Sequence, residues 1–140
     1  MKKKTGIIIL VFILIIISMA VIELLSNPLR KPEERIRADL LELIPLGTNL
    51  DDVISIVEHH ESWRVFGRVH DDVGIIMGPR GPSIGIPLAD EVVIGEKAIS
   101  IHLGQYLAFF FIQTDVTVYM AFNENSELIE IAPFKSINVL

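Results

Sequence analysis

The sequence predicts an α+β protein: an N-terminal transmembrane helix, then two short helices packed on one face of an antiparallel sheet. Three observations support this prediction. An uncharged, apolar run fills residues 5–22. Apolar residues then recur with the helical period over residues 33–57, and from Trp63 onward they alternate with a period of two. Helices followed by strands that short turns connect are the element order typical of an α+β domain.

The first element is the apolar run, which has 18 uncharged residues in succession, 13 of them Ile, Leu, Val or Phe. At about 1.5 Å per residue it covers ~27 Å, close to the ~30 Å hydrocarbon core of a bilayer. Apolar residues continue past Glu23, so we expect residues 1–25 to be a retained signal-anchor that contacts the lipid bilayer through residues 5–25. The alternative is a cleaved signal peptide, with cleavage after the small residue Ala20 and secretion of the rest.

A linker is expected at residues 26–32, because Pro28 and Pro32 resist continuation of the helix. Residues 33–140 are then one small domain. Three lysines at residues 2–4 abut the apolar run, so we expect a single-pass protein with a cytoplasmic N-terminus and an extracytoplasmic C-terminal domain.

The charge balance of this domain is acidic. Residues 26–140, the linker and this domain together, have 9 basic and 17 acidic residues, which are the chain's totals of 12 and 18 without the three N-terminal lysines and Glu23. This balance argues against nucleic-acid binding, and it predicts that the domain stands off an anionic membrane surface.

The two short helices follow from apolar stripes. The first helix is expected to begin at Pro32 and to end at Pro45, with a buried stripe formed by Ile36, Leu40, Leu43 and Ile44. Thr48, with Asp51 three residues later, predicts the cap of the second helix. Its stripe consists of Leu50, Val53, Ile54 and Val57.

Strands are expected at residues 63–69, 73–77, 99–103, 116–122 and 128–134, with turns at residues 71–72 and 123–126. Residues 107–112 are continuously apolar but too few to span a membrane, so we expect a buried strand there. Residues 78–85 are rich in Gly and Pro and are expected to form a surface loop.

The segment Pro45-Leu46-Gly47-Thr48-Asn49-Leu50-Asp51-Asp52-Val53, followed by an amphipathic helix and a final pair of strands, resembles a known family. This family is the outer-membrane assembly lipoproteins called SmpA/OmlA or BamE, whose arrangement the β-lactamase-inhibitor-like fold shares. The chain is also similar to short bacterial proteins with an N-terminal membrane segment, in which the Gly95-Glu96-Lys97 stretch and the hairpin of residues 123–131 recur. The resemblance implies a binding domain held in the cell envelope. The chain has no Cys. It therefore lacks the cysteine that carries the lipid anchor in this family, and it lacks the disulfides of secreted β-lactamase inhibitors.

One candidate for catalysis is Ser83, because residues 81–85 match the G-x-S-x-G nucleophile elbow. That elbow needs a helix after the serine, which the surrounding prolines prevent.

The histidines are the other candidate for catalysis or metal binding. His59 and His60 are adjacent and point about 100° apart on a helix, so they cannot bind one ion from the same face. His70 lies in a turn, and His102 lies on the polar face of a strand. We therefore predict no catalytic residue, metal site or cofactor.

The candidate partner-binding residues are Trp63, Arg64, Phe66 and Arg68, because Trp and Arg are enriched at the centres of protein interfaces. The sequence thus predicts a membrane-tethered, noncatalytic domain that binds a protein or a cell-envelope component. Two alternatives stay open. One is a small envelope hydrolase that uses Ser83 or the histidine cluster, and the other is an immunity-type inhibitor of a toxin.

Overall fold

The computed structural model describes the backbone of residues 2–109 and 111–139, and the side chains of these residues apart from 2–5, 23–24, 67–68 and 109. The chain forms two compact units, Met1–Lys31 and Pro32–Leu140. Helices and antiparallel sheets are both present, so the predicted α+β class is confirmed.

The first unit contains helix α1 (Lys2–Ser26) and a 3₁₀ turn (Pro28–Arg30). Asn27 caps this turn, because its side chain accepts a hydrogen bond from the Leu29 N–H at 3.0 Å. The large apolar side chains described in α1 are exposed all around the helix. Among the described residues, which in α1 include the side chains of residues 6–22, no helix is long and apolar enough to cross a membrane.

The second unit begins with α2 (Glu33–Leu43) and α3 (Leu50–His59). The predicted stripe of α2 is correct except at Leu43, which is exposed. The predicted cap of α3 is one residue too early: Asn49 is the cap, and its side chain accepts a hydrogen bond from the Asp51 N–H at 3.1 Å. The reason is that the Thr48 carbonyl accepts a hydrogen bond from the Leu128 N–H at 2.9 Å, which keeps the chain extended before the helix.

The main sheet has the order β1-β5-β6-β7, with all pairs antiparallel. Its strands are β1 (Arg64–His70), β5 (Lys97–Phe109), β6 (Ile112–Phe122) and β7 (Leu128–Val139). Alternate residues of each strand point to opposite faces. The face that includes Ile101 and Val118 is fully buried; α2 and α3 pack on it, and we call it the inner face.

A small sheet packs on the other side of the main sheet, which we call the outer face. It has the order β3-β2-β4 and is formed by β2 (Ile75–Gly78), β3 (Gly81–Ile84) and β4 (Val92–Ile94). Its buried residue Ile75 packs with Ala121, Ala132 and the partly buried Tyr119 of the main sheet. One end of the outer face is therefore covered.

The loop predicted at residues 78–85 is wrong, because β2 and β3 form a hairpin there. Gly81 has a positive φ of 97° at the end of the turn. Pro82 is tolerated because β3 is an edge strand, where a missing N–H need not break the ladder.

The buried strand predicted at residues 107–112 is also wrong. Residues 107–109 are the end of β5 and Ile112 begins β6, so the described part of this segment is not one continuous strand, and Phe110 lies outside the described residues. Leu107 and Phe111 are exposed. A short, wholly apolar run has no period, and so it does not distinguish a buried strand from an exposed turn.

Candidate functional site

A cleft of about 350 Å³ lies on the outer face of the main sheet, next to the small sheet. The strand register places its lining residues side by side on neighbouring strands: Phe66 pairs with Ser100, and His102 pairs with Thr117. We call it the outer cleft, and its lining residues are Phe66, Ser100, His102, Gln105, Asp115, Thr117, Tyr119 and Ser136.

The carboxylate of Asp115 is the most connected polar group of the outer cleft. Asn138 Nδ2 donates a hydrogen bond to its Oδ2, and Gln113 Nε2 donates to its Oδ1 at 3.3 Å. His102 Nε2 lies 4.0 Å from the same Oδ1. These donors hold the carboxylate in place and partly offset its negative charge, so the cleft presents a fixed acceptor beside hydroxyl groups.

A serine, a histidine and an aspartate share this cleft, but they do not form a catalytic triad. The Ser100 hydroxyl donates to the Phe66 carbonyl at 2.8 Å. His102 faces Asp115 through Nε2 at the edge of ion-pair range. A nucleophilic serine needs its hydroxyl proton directed at a base, and here that proton is directed at the backbone.

Aromatic side chains border the polar groups. Phe66 is 72% exposed, which is unusual for a phenylalanine in the middle of a strand. Tyr119 lies at the other side of the cleft, where it packs against the small sheet, and burial raises its pKa above the usual 10.0. The outer cleft therefore has a polar floor with an exposed apolar residue at its rim.

The structure describes the side chains of three of the four predicted partner-binding residues. Arg64 and Phe66 both point to the outer face, because they pair with His102 and Ser100. The Arg64 guanidinium donates to the Glu61 and Trp63 carbonyls at 2.8 and 2.7 Å.

Trp63 precedes β1, is half-buried and stacks on His60 with ring centroids 4.0 Å apart. The side chain of Arg68 lies outside the described residues. Of the three described side chains, Phe66 is the one that lines the cleft.

The residues considered for catalysis, Ser83, His59 and His60, each make local contacts that do not form a catalytic site. Ser83 lies within β3, paired with Ile76, and no strand-to-helix turn presents it. His59 Nδ1 bonds the Ser55 carbonyl at 2.7 Å, while His60 is stacked on Trp63. Over the described residues, no group of three or more potential metal ligands is found.

The free edge of the main sheet is closed to strand addition along part of β7. Arg37 Nε donates to the Ile131 carbonyl at 2.9 Å, and Glu33 accepts the Lys135 N–H at 2.9 Å. Between them Pro133 has no N–H, while Glu130 accepts the Ile131 N–H at 2.9 Å. A peptide cannot form a regular ladder with this stretch.

Comparison with family models, with curated proteins and with solved structures gives no match for this chain. The resemblance to the BamE family therefore stays a prediction. Our sequence analysis also missed Asp115 and Tyr119 as site residues. The signal was present, since residues 115, 117 and 119 are the polar-face positions of a clearly alternating strand.

Proposed function

We propose that this protein is a membrane-tethered, noncatalytic domain that binds a protein or another cell-envelope component through the outer cleft. The observation that carries the proposal is the exposure of Phe66 at the rim of a polar cleft. Covering an exposed Phe side chain is worth roughly 1.5–3 kcal/mol, and aromatic residues beside polar groups are typical centres of binding energy.

The hydrogen bonds that the polar groups of the cleft already make within the protein favour binding over catalysis. Ser100 donates to a backbone carbonyl, and Asp115 accepts from two amides. Groups fixed in this way recognise a partner by shape and by hydrogen bonds, whereas a catalytic group needs a proton or a lone pair aimed at a substrate.

The membrane tether rests on the N-terminal segment. Residues 5–22 are uncharged in the sequence, and the described side chains of α1 form no polar face that could be directed toward water. We propose that residues 5–25 lie in the lipid bilayer, that the N-terminus is cytoplasmic, and that the second unit is extracytoplasmic. Cleavage after Ala20 is the competing outcome.

Site-specific photo-crosslinking tests the binding site. The photoreactive residue p-benzoylphenylalanine is placed at position 66 of the full chain in intact cells. A matched control carries it at position 92, where Val92 of the small sheet is 62% exposed. We expect a discrete crosslinked product at position 66 that is weak or missing at position 92, and that Asp115→Lys reduces because it reverses the charge of the cleft floor.

Equal products at both positions, or a product at position 66 that Asp115→Lys leaves unchanged, would exclude the outer cleft as the binding site.

The membrane tether is tested separately. Full-length protein should resist alkaline extraction from membranes, and a C-terminal fusion should be active only outside the cytoplasm. An N-terminus that begins at residue 21 would establish secretion instead.

A further inference from the structure

Most of the polar groups that line the outer cleft are uncharged. Four of its described lining residues carry a hydroxyl group and one carries an amide, namely Ser100, Thr117, Ser136, Tyr119 and Gln105. Asp115 is the one carboxylate among them, and the imidazole of His102 lies 4.0 Å from its Oδ1. These groups recognise a ligand mainly through hydrogen bonds to neutral donors and acceptors, rather than through charge.

A chain of hydrogen bonds holds an acceptor and a donor of the cleft in place. Gln113 Nε2 donates to Gln105 Oε1 and, at 3.3 Å, to Asp115 Oδ1. Asn138 Nδ2 donates to Asp115 Oδ2. An ionised carboxylate has about four lone-pair sites, so in the described contacts Asp115 keeps about two of them for a ligand. Gln105 uses its carbonyl oxygen in these contacts, which leaves its NH₂ group as a donor on the neighbouring strand, directly opposite Asp115.

This fixed acceptor and fixed donor suit the hydroxyl groups of a sugar. A hydroxyl donates one proton and accepts through its lone pairs, so it can bond the Asp115 carboxylate and the Gln105 NH₂ group together. Side chains of residues paired across antiparallel strands lie about 5 Å apart, so one hydroxyl, or two neighbouring hydroxyls of one ring, can reach both groups. Hydrogen bonds to an ionised acceptor are also stronger than those to a neutral one.

Phe66 provides the apolar contact for a sugar ring. A pyranose ring has hydroxyl groups around its edge and C–H groups on its faces. Packing such a face on Phe66, which is 72% exposed, removes apolar surface of both groups from water. The register places Phe66 opposite Ser100, so the aromatic ring borders the hydroxyl groups of the floor. The cleft thus combines an apolar rim with a polar floor, which matches the two kinds of surface on the sugar.

The size of the outer cleft favours a chain of sugars over a protein surface. Its volume of about 350 Å³ is at the small end of ligand clefts, which run from ~300 to ~1,000 Å³. Eight residues line it, whereas a standard protein interface involves ~20–30 residues on each side. The small sheet covers the adjacent end of the outer face, where Ile75 packs on Ala121 and Ala132. A broad partner surface therefore has little room to lie flat on the floor of the cleft.

We propose that the outer cleft binds an uncharged, hydroxyl-rich glycan, with one sugar ring packed on Phe66 and its hydroxyl groups bonded to Asp115 and Gln105. This inference rests on the proposed function, for which it names the class of ligand. The glycan is bound and not cleaved, because glycoside hydrolysis generally uses two carboxylates that flank the bond, and Asp115 is the one carboxylate among the described lining residues.

Isothermal titration calorimetry of the full chain tests the proposal. The protein is kept in lauryldimethylamine oxide, a detergent without a sugar headgroup that could occupy the cleft. Two uncharged probes separate two sources of such a glycan: chitotetraose represents an N-acetylated cell-wall backbone, and cellotetraose represents a plain hexose polymer. We expect saturable binding of at least one probe, and the probe that binds more tightly identifies the source.

Three variants locate the binding. Phe66→Ala should raise the Kd about tenfold, because covering about half of a Phe side chain contributes that factor. Phe111→Ala is the matched control and should leave the Kd unchanged, since Phe111 is 71% exposed but lies outside the lining of the cleft. Asp115→Asn keeps the shape of the side chain but removes its charge, and it should also raise the Kd about tenfold. Circular dichroism spectra that match the parent verify folding, and the exposed Phe66 still provides the test if Asp115→Asn does not fold.

The outcomes separate this inference from the proposed function. Absence of saturable binding for both probes, or equal Kd values for Phe66→Ala and Phe111→Ala, would overturn the glycan inference. A crosslinked product at position 66 whose added mass is that of a polypeptide would also overturn it, and would leave the proposed function standing with a protein in the cleft. If neither probe binds and crosslinking does not distinguish position 66 from position 92, the inference and the proposed function are both wrong.

Discussion

Gly95 lies between β4 and β5, close to the Phe122 backbone of the main sheet, and Gly95→Ala should lower the free energy of unfolding by about 2–5 kcal/mol. Its φ of +79° costs an alanine about 1–2 kcal/mol. A Cβ there would lie 2.7 Å from the Phe122 carbonyl oxygen and 3.0 Å from the Ala121 Cβ. That carbonyl also accepts the Glu96 N–H at 2.9 Å, so the backbone has little room to retreat, and overpacking adds about 1–3 kcal/mol.

Gly47→Ala is the matched control, because Gly47 has a similar φ of +88° but no described atom within 4 Å of the added Cβ. It should cost about 1–2 kcal/mol, the conformational part alone. Urea unfolding of the full chain in detergent, followed by Trp63 emission, measures both. Equal losses in the two variants would show that the added Cβ at Gly95 causes no overpacking beyond its conformational cost.

Two further predictions concern the edge and the outer face. Arg37→Ala should destabilise the protein by about 1 kcal/mol in the same urea assay, because it removes hydrogen bonds to Glu130 and to a β7 carbonyl. Partial exposure of these side chains reduces the free energy that the hydrogen bonds contribute. Arg35→Ala, on the exposed side of α2, is the control and should change stability by less than about 0.5 kcal/mol. Burial raises the pKa of Tyr119, so the contribution of Tyr119 to folding stability should be constant below pH 10.0 and fall as the pH rises from there to the folded-state pKa. Tyr119→Phe should remove that fall, and an unchanged pH dependence would refute it.

The elements that the sequence predicts best are those with one buried face. Residues 116–122 alternate cleanly because Val116, Val118 and Met120 are buried while residues between them face outward. The same reasoning located α3, where the stripe positions Val53 and Val57 are fully buried. Periodicity works here because burial on one side selects the residue type at each position.

Features that depend on contacts between distant residues could not be predicted in this way. The register shift between His102 and Gly104 allows both His102 and Gln105 to face the outer cleft, although they are three residues apart. Without that bulge, strict alternation would place Gln105 on the inner face. The closeness of His102 to Asp115 likewise follows from pairing between β5 and β6, which no local pattern encodes.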